Sequence, residues 1–329
     1  MDIPFIDKQN FFSHLESHKN PWHKDYLCMY SSQWPGVTKD PKLMLIPVDD
    51  HLVHRGDGVF DVIRCVNGRI YQMERHLQRL EHSAKAVSLS PPPEYENIRD
   101  LIKKLILIGG EKECLIRIVL SRGPGSFSTN PFDCPSSQIY VNIIRYKSLP
   151  EEYYRDGVAV VTSPIPIKKS FFATIKSCNY LPNVLIKMGA IEANVPYGVA
   201  LDEEGFLAEG SIENIAVLNA DGILEFPGFE RTLSGTTAER LFQLAKRLVS
   251  DDVIKEVKFN RITLEEAYQA REIFLTGTSI NIIPVITYDG KRIGEGCPGP
   301  VYSRLSDLLW EDMTENRELL TEIDWEQAR

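Results

Sequence analysis

The sequence predicts an α+β protein of two domains. Its 329 residues suffice for about two ordinary domains, each with its own apolar core. Hydrophobic residues make up 43% of the chain and charged residues 25%, which is typical of folded proteins rather than disordered or coiled-coil ones. Strand and helix patterns follow one another without a regular strand–helix–strand repeat, so an α+β arrangement is favoured over a doubly wound parallel sheet.

The first half is predicted to form an N-terminal extension and a small domain. Residues 1–45 carry several prolines and aromatics and are assigned to the extension. Residues 46–147 are assigned to the small domain, in which Asn67-Gly68 suits the two-residue turn of a hairpin. Alternation of apolar residues, and apolar spacings of three and four, predict strands at 59–66, 69–73, 114–121 and 138–146 and helices at 74–88 and 98–109.

The second half is predicted to form a larger domain after a polar linker. The linker is assigned to residues 148–156 and the large C-terminal domain to residues 157–329. The same rules predict strands at 158–162, 197–201, 214–218, 272–276 and 282–288 and helices at 182–194, 237–250, 263–269 and from 301 onward.

Charge and cysteine usage exclude several classes of partner. The chain has 37 Lys and Arg against 46 Asp and Glu, a net charge of −9, so no basic surface for nucleic acid or an anionic membrane is expected. The six cysteines stand singly and no run of apolar residues is long enough for a membrane span, which predicts a reduced, cytoplasmic protein. No metal site is predicted, because the closely spaced histidines have no third ligand beside them.

Two turns and one arginine suit an anionic group. Residues 233–237 open a predicted helix, and residues 276–279 follow a predicted strand. Backbone N–H groups at a helix start, joined by small hydroxyl side chains, bind phosphate readily. Arg79 lies beside the apolar stripe of its helix, from which its guanidinium can turn inward and grip a phosphate. Plain Ser/Thr capping and a solvated arginine are the alternatives.

A lysine and a carboxylate complete a second set of candidates. Lys176 lies in a polar break before a predicted helix, where partial desolvation and a neighbouring cation can release its proton and make it a Schiff-base nucleophile. Glu209 precedes a predicted strand and can face a ring nitrogen, or it can be an ordinary turn carboxylate. An amine for an aldehyde, a carboxylate for a pyridine nitrogen and donors for a phosphate are together what pyridoxal 5'-phosphate requires.

From about residue 48 to about residue 312 the chain resembles the class IV (fold type IV) pyridoxal-phosphate aminotransferases, which include branched-chain aminotransferases, D-amino-acid aminotransferases and aminodeoxychorismate lyases. Several segments in the same order carry the resemblance: Arg55-Gly56-Asp57-Gly58-Val59-Phe60-Asp61, His76 to Leu80, 176–183, 201–214, 233–237, and Gly277-Thr278 with Pro284-Val285.

The resemblance implies a fold and a set of cofactor contacts. The fold has a smaller N-terminal α/β sandwich domain, a larger C-terminal domain with a barrel-like β core, and a homodimer that contributes loops to each site. Lys176 is implied as the Schiff-base lysine and proton shuttle, and Glu209 as the partner of the pyridine nitrogen. The other implied cofactor contacts are Arg79, Tyr180, Leu233, Thr236, Thr237 and Thr278.

The substrate-binding patterns of the family match only in part. D-amino-acid aminotransferases hold the substrate carboxylate with a tyrosine, an arginine and a histidine, to which Phe60, Phe127 and Thr129 correspond here. Branched-chain enzymes carry a tyrosine and an arginine two residues apart, to which Leu115 and Arg117 correspond. The candidate substrate contacts are Phe60, Arg64, Arg117 and Ser279. Either arginine can instead pair with a structural carboxylate.

The resemblance therefore implies transfer of an amino group between an amino acid, of the branched-chain or D-amino-acid type, and a 2-oxo acid. One alternative keeps the cofactor but eliminates pyruvate from aminodeoxychorismate, leaving 4-aminobenzoate; the residues after Phe60 disfavour it, since the threonine of bacterial lyases is absent there. A second alternative is a catalytically silent binding protein on the same fold.

Overall fold

The computed structural model describes residues 1 and 3–328. Its strands are β1 (Tyr26–Ser31), β2 (Gly36–Thr38), β3 (Gly58–Val66), β4 (Arg69–Tyr71), β5 (Cys114–Ser121), β6 (Gln138–Arg145), β7 (Val158–Thr162), β8 (Tyr197–Leu201), β9 (Leu207–Gly210), β10 (Asn214–Leu218), β11 (Ile223–Pro227), β12 (Glu256–Asn260), β13 (Glu272–Gly277), β14 (Asn281–Tyr288), β15 (Lys291–Arg292) and β16 (Leu320–Thr321). Its α-helices are α1 (Lys8–Ser17), α2 (His51–Arg55), α3 (Met73–Ala86), α4 (Ile98–Gly109), α5 (Glu151–Arg155), α6 (Ser170–Ala173), α7 (Leu181–Glu192), α8 (Thr236–Ser250), α9 (Leu264–Tyr268) and α10 (Pro300–Glu315).

The first half of the chain builds an antiparallel sheet with strand order β16-β4-β3-β5-β6-β1-β2. Asn67 and Gly68 join β3 to β4 with φ angles of 51° and 78°, the left-handed values that a two-residue hairpin turn requires. Leu77 and Leu80 of α3 and Ile102 and Ile106 of α4 pack against this sheet in one buried cluster. One face of the sheet is thereby covered, and the first core sits between sheet and helices.

The second half builds a closed barrel. Strands follow the order β10-β13-β14-β7-β8-β9, and β9 pairs with β10 to close the ring, while β11 and β12 extend outward from β10. One face of every barrel strand contributes to a single apolar cluster that fills the interior, represented by Val199, Ile215 and Leu275. The opposite face of β10 and β13 packs under α8 and α10. The predicted two-part α+β fold with a barrel-like C-terminal core is confirmed.

Sequence patterns located most of the longer elements of both halves but missed five strands after residue 58. The strands β9, β11 and β12 lack a strong alternating pattern, since they carry glycine, proline or charged residues, and they are held by their neighbours in the sheet. The strands β15 and β16 are two residues long, too short for any pattern, and β16 pairs with β4 across most of the length of the chain.

Part of the stretch assigned to the N-terminal extension also enters the first sheet. Strands β1 and β2 lie within residues 1–45, and β1 pairs along its length with β6. Local sequence carries little information about such a long-range pairing, because the partner strand supplies the hydrogen bonds. Among the described helices, none combines the length and the apolar character that a membrane span demands.

A buried ion pair ties the C-terminal helix to both halves. Asp312 of α10 accepts two hydrogen bonds from Arg240 of α8 and one from Tyr71 of β4, and Asp312 itself is 6% exposed. Burial alone would raise the pKa of Asp312, but Arg240 and the other donors outweigh it and lower that pKa. The network therefore links the first sheet, α8 and α10.

We expect Asp312→Asn to lower the free energy of unfolding by about 2 kcal/mol, less than for a fully buried pair because Arg240 is partly exposed. Urea denaturation followed by circular dichroism measures the change. Asp307→Asn is the matched control, since Asp307 is an exposed aspartate on the same helix. Equal stability of the two variants would contradict a structural role for the Asp312 network.

Candidate active site

A pocket opens where the first sheet meets the barrel. Strands β3 and β5 and helix α3 form one wall, and the start of α8 with the end of β13 forms the other. The residues that line it are Phe60, Val62, Arg79, Leu115, Arg117, Lys176, Tyr180, Ile212, Asn214, Leu233, Gly235, Thr236, Thr237, Gly277, Thr278 and Ser279. Both halves of the chain must therefore be folded for the pocket to exist.

The segment that carries Lys176 is pinned to the first sheet. The Lys176 carbonyl accepts the Phe60 N–H at 2.9 Å, and the Cys178 N–H donates to the Gly58 carbonyl at 2.8 Å. The Lys176 N–H donates to the Ser83 hydroxyl of α3 at 3.1 Å. The Lys176 side chain extends into the pocket, with its Nζ 4.8 Å from the centre of the Phe60 ring. Backbone hydrogen bonds around Lys176 thus fix the position of its Cα atom.

The environment of Lys176 favours its neutral amine. Burial, followed by the nearby charge of Arg79, lowers the pKa of Lys176 to about 8, although Asp61 and Glu209 oppose this shift. A lysine with this pKa is partly unprotonated at neutral pH. It can act as a nucleophile toward an aldehyde and as an acceptor of a proton.

Glu209 lies behind the pocket on β9. It is not among the lining residues, but it is buried, and one of its carboxylate oxygens accepts the Leu233 N–H at 3.0 Å. Burial raises the pKa of Glu209 to about 7, while the Leu233 N–H and the charges of Lys168 and Lys176 oppose this shift. A bound cation beside this carboxylate would hold it in its ionised form.

The start of α8 forms a cup of backbone donors. Gly235 precedes Thr236, the first residue of the helix, and a Cβ at Gly235 would collide with the side-chain oxygen of Asn214. Asn214 in turn donates to the Leu233 carbonyl at 2.9 Å. A larger residue at position 235 would therefore displace the Asn214 side chain. Gly235 also makes no side-chain cap at the start of α8, so the first N–H groups of the helix stay available to the pocket. Thr278, which follows β13, lines the pocket on the adjacent side.

Arg79 reaches the same cup, held by a carboxylate that sequence reasoning missed. Asp61 of β3 accepts the Arg79 Nε–H at 2.9 Å and the Arg79 Nη2–H at 2.8 Å, and the Ser234 carbonyl accepts from Nη1 at 3.1 Å. Asp61 also pairs with His76, three residues before Arg79 on α3. A carboxylate inside the apolar run of β3 was the available signal, because a buried charge needs a partner.

Arg64 is not brought into the pocket, so its selection as a substrate contact is corrected. It lies on the same face of β3 as Phe60, but four residues further along. Its guanidinium donates to Glu113 at 2.8 Å and stacks 3.0 Å from the centre of the Tyr146 ring. Tyr146 and Glu113 therefore hold Arg64 away from the site.

The other predicted substrate candidates do line the pocket. The Arg117 guanidinium lies 4.8 Å from the centre of the Phe60 ring, and no Asp or Glu of the described chain is within ion-pairing distance of it. Ser279 follows Thr278 at the rim. Phe60 also packs edge-on against Tyr180, with 5.2 Å between ring centres.

The donor set fits a small aldehyde that carries an anionic group. A partly neutral amine faces the pocket, the helix start and Arg79 supply N–H donors at one end, and a buried carboxylate lies on the other side of Leu233. These are the requirements of pyridoxal 5'-phosphate: an amine for its aldehyde, donors for its phosphate and a carboxylate for its ring nitrogen.

Comparison with known proteins decides the family. Residues 58–288, more than half of the chain, match the family model for amino-transferase class IV. The chain belongs to the class IV aminotransferases.

Relatives within this family carry names of both substrate types, D-amino-acid and branched-chain. The chain is 42% identical over 291 residues to a protein named "D-amino-acid transaminase, chloroplastic" from Arabidopsis thaliana, covering 88% of this chain and 77% of that one. It is 31% identical over 278 residues to a "Putative branched-chain-amino-acid aminotransferase" from Methanocaldococcus jannaschii, covering 83% and 92% of the two chains.

A solved structure shares the fold closely. The branched-chain amino acid aminotransferase of T.th., solved with pyridoxamine 5'-phosphate, superimposes with a TM-score of 0.83 at 28% identity, covering 90% of this chain and 98% of that one. This class IV aminotransferase is a pyridoxal 5'-phosphate enzyme that acts on an amino acid and a 2-oxo acid. When bound, the cofactor supplies an electron sink for the electrons released at the substrate Cα.

We predict that cofactor-free protein captures pyridoxal 5'-phosphate about tenfold faster at pH 9 than at pH 7, because the neutral fraction of Lys176 rises through a pKa of about 8. The rate should level off above pH 9. Absorbance stopped-flow measures it, with a free lysine derivative as the control for the titration of the aldehyde itself. A rate that keeps rising through pH 10, as for an ordinary lysine with a pKa of about 10.4, would contradict the lowered pKa.

Proposed function

We propose that this pocket is the transamination centre, with Lys176 as the lysine that attaches pyridoxal 5'-phosphate. The observation that carries the proposal is the Lys176 amine itself, which projects into the pocket with a lowered pKa beside the donors at the start of α8. Once the substrate has displaced it, the Nζ atom of Lys176 is free to take the proton from the substrate Cα and return it. The Phe60 ring covers one side of this atom at 4.8 Å from its centre.

Glu209 is proposed to hold the ring nitrogen in its protonated form. Its position behind Leu233 supports this role, since the Leu233 N–H occupies one carboxylate oxygen and orients the other. The positive ring nitrogen would lower the raised pKa of Glu209 again, and each charge would stabilise the other in a buried site. Leu233 itself is proposed to pack against the ring.

The phosphate is proposed to occupy the cup between α3, α8 and β13. Arg79 supplies a guanidinium, Thr236 and Thr237 supply N–H groups at the helix start, and Thr278 completes the cup. Tyr180 is proposed as a phenol beside the cofactor, and burial raises its pKa, so it is a hydrogen-bond donor across the neutral range.

The substrate is proposed to bind at the open side of the pocket. Arg117 is the cation available there for a carboxylate, Phe60 offers an apolar surface, and Ser279 lies at the rim. The substrate class is an amino acid of the branched-chain or D-amino-acid type, in agreement with the names of the two relatives above.

A half-reaction assay tests the function directly. The holoenzyme is mixed with single L- and D-amino acids, and conversion of the pyridoxal form to the pyridoxamine form is followed by absorbance; a 2-oxo acid should reverse it. We expect branched-chain or D-amino acids to drive the conversion. Release of pyruvate and 4-aminobenzoate from aminodeoxychorismate, with no amino-acid half-reaction, would favour the lyase instead, and a colourless protein with neither activity would favour a silent binding protein.

We predict that Glu209→Gln lowers kcat about 100-fold while changing the dissociation constant of pyridoxal 5'-phosphate much less, since the amide keeps the shape of the carboxylate but cannot stabilise a positive ring nitrogen. Steady-state kinetics and cofactor titration give the two quantities. Glu203→Gln, at an exposed carboxylate in the turn before β9, is the control. Unchanged turnover would exclude Glu209 from its proposed role.

We further propose that two copies associate as a homodimer through the surface beside the pocket. Val184, Met188 and Ile191 of α7 are exposed apolar side chains there, and Ile212 connects them to the pocket. A monomer rarely leaves such a contiguous patch uncovered. Phe127 and the ordered loop around it are the proposed counterpart on the second copy.

The loop around Phe127 is held in place before any contact forms. Arg55 donates to the Ser128 carbonyl at 3.2 Å, and Asp133 accepts from Ser126 and Ser128 across the loop. Phe127 and Phe132 stay largely exposed.

Analytical ultracentrifugation should give twice the chain mass of 37.4 kDa, and a fully active monomer would exclude this assembly.

We also propose a domain division and a cellular compartment. The two sheets support a small domain before residues 148–156 and a large domain after them, with α5 inside that linker. Six free cysteines support a reducing compartment, for which we propose the cytoplasm. Limited proteolysis and microscopy of the tagged protein test the two assignments.

A further inference from the structure

A fully buried carboxylate lies behind Arg79 at the proposed phosphate site. Asp61 is 0% exposed in the middle of β3 and accepts hydrogen bonds from Arg79, His76 and the Val62 N–H. Burial alone would raise the pKa of Asp61, but the charge of Arg79 and the hydrogen bonds from Arg79 and His76 outweigh it and lower that pKa. Asp61 is therefore a permanent anion that occupies one whole edge of the Arg79 guanidinium.

His76 connects Asp61 to the helix start on the other wall. Its Nδ1 lies 2.7 Å from an Asp61 oxygen, and its Nε2 lies 3.2 Å from the Thr236 hydroxyl. Burial lowers the pKa of His76 despite the neighbouring Asp61, which favours the neutral ring. Since Asp61 can only accept, Nδ1 carries the hydrogen, and Nε2 accepts the hydrogen of the Thr236 hydroxyl.

This arrangement decides what Thr236 offers to a phosphate. Its hydroxyl hydrogen is used by His76, so Thr236 contributes its backbone N–H, and the hydroxyl group anchors the first turn of α8 instead. Thr237 lines the pocket beside it on the same first turn and supplies the next N–H.

The same contacts join the two walls of the pocket. Arg79 donates to the Ser234 carbonyl, and one turn earlier on α3, Arg75 forms a two-point ion pair with Glu239 of α8. Contacts between residues about 160 positions apart thus align α3 with the start of α8. The donors of both walls then line the same pocket.

We propose that Asp61 and His76 are positioning residues for the cofactor phosphate: Asp61 fixes the orientation of Arg79, and His76 locks the start of α8 to the same carboxylate. The inference rests on the proposed phosphate role of Arg79. Neither residue lines the pocket, so both would act by restricting the donors that do.

The sign of one effect separates positioning from simple charge. Removing the negative charge of Asp61 would by Coulomb's law strengthen the attraction of the site for a phosphate dianion. Loss of positioning works in the opposite direction, because Arg79 becomes free to turn away and the helix start loses its anchor. A lower affinity for phosphate in Asp61→Asn would therefore indicate positioning rather than simple charge.

The experiment compares pyridoxal 5'-phosphate with pyridoxal, which lacks the phosphate, as ligands of the cofactor-free full-length protein. The dissociation constant of pyridoxal divided by that of pyridoxal 5'-phosphate isolates the phosphate contribution. We expect Asp61→Asn and His76→Gln each to reduce this ratio about tenfold or more, with pyridoxal affinity changed less than about twofold, tenfold corresponding to about 1.4 kcal/mol. An unchanged or increased ratio in both variants would overturn the proposal.

Two further variants keep the result interpretable. Arg79→Lys retains the charge but loses the planar guanidinium. If this variant leaves the ratio unchanged, the proposed phosphate role of Arg79 fails. If it reduces the ratio while Asp61→Asn and His76→Gln do not, only the positioning inference is refuted. Asp312→Asn is the matched control, a buried carboxylate that also binds an arginine edge, but its arginine, Arg240, does not line the pocket. It should lose stability and keep the ratio.

Loss of folding does not block this test. If Asp61→Asn does not fold, the proposal is tested with His76→Gln alone, because that variant leaves the Asp61–Arg79 ion pair in place. Circular dichroism verifies the fold of each variant before titration.

Discussion

The site depends on the pairing of the Lys176 segment with the start of β3. Two backbone hydrogen bonds, from Phe60 to Lys176 and from Cys178 to Gly58, attach a segment of the second half to the first sheet. Through them the amine, the covering Phe60 ring and the Arg79 helix come to lie around one pocket. A site built in this way is complete only after both halves have folded and docked, and its geometry follows from backbone bonds rather than from flexible side chains.

Charged groups of both signs surround the pocket. Burial, Arg79 and Lys168 lower the pKa of Lys176 to about 8, while Asp61 and Glu209 oppose that shift. Burial raises the pKa of Glu209, and the charges of Lys168 and Lys176 oppose it. Buried charges of this kind contribute little to stability, because their desolvation offsets their attraction. Their value lies in setting the protonation states that amino-group transfer needs.

Local patterns predicted what local physics determines. The Asn67-Gly68 hairpin, the amphipathic helix of Arg79 and the polar break at Lys176 were recognisable because turn chemistry and apolar spacing act over a few residues. Arg64 was wrongly assigned to the pocket because strand alternation predicts the face on which a side chain lies but not its neighbours. Those neighbours are Tyr146 and Glu113. The roles of Asp61 and His76 were missed since their partners arrive through tertiary contacts, and β16 escaped notice because its pairing strand lies about 250 residues away.

Reduction of the holoenzyme with borohydride, followed by peptide mass spectrometry, tests the central claim most directly. Borohydride turns the imine between the cofactor and a lysine into a stable secondary amine, so the modified residue can be located. We expect a single phosphopyridoxyl adduct on the peptide that contains Lys176, absent from Lys176→Ala and retained in Lys169→Ala, whose lysine is exposed on the preceding segment. An adduct on any other lysine, with Lys176 unmodified, would contradict it.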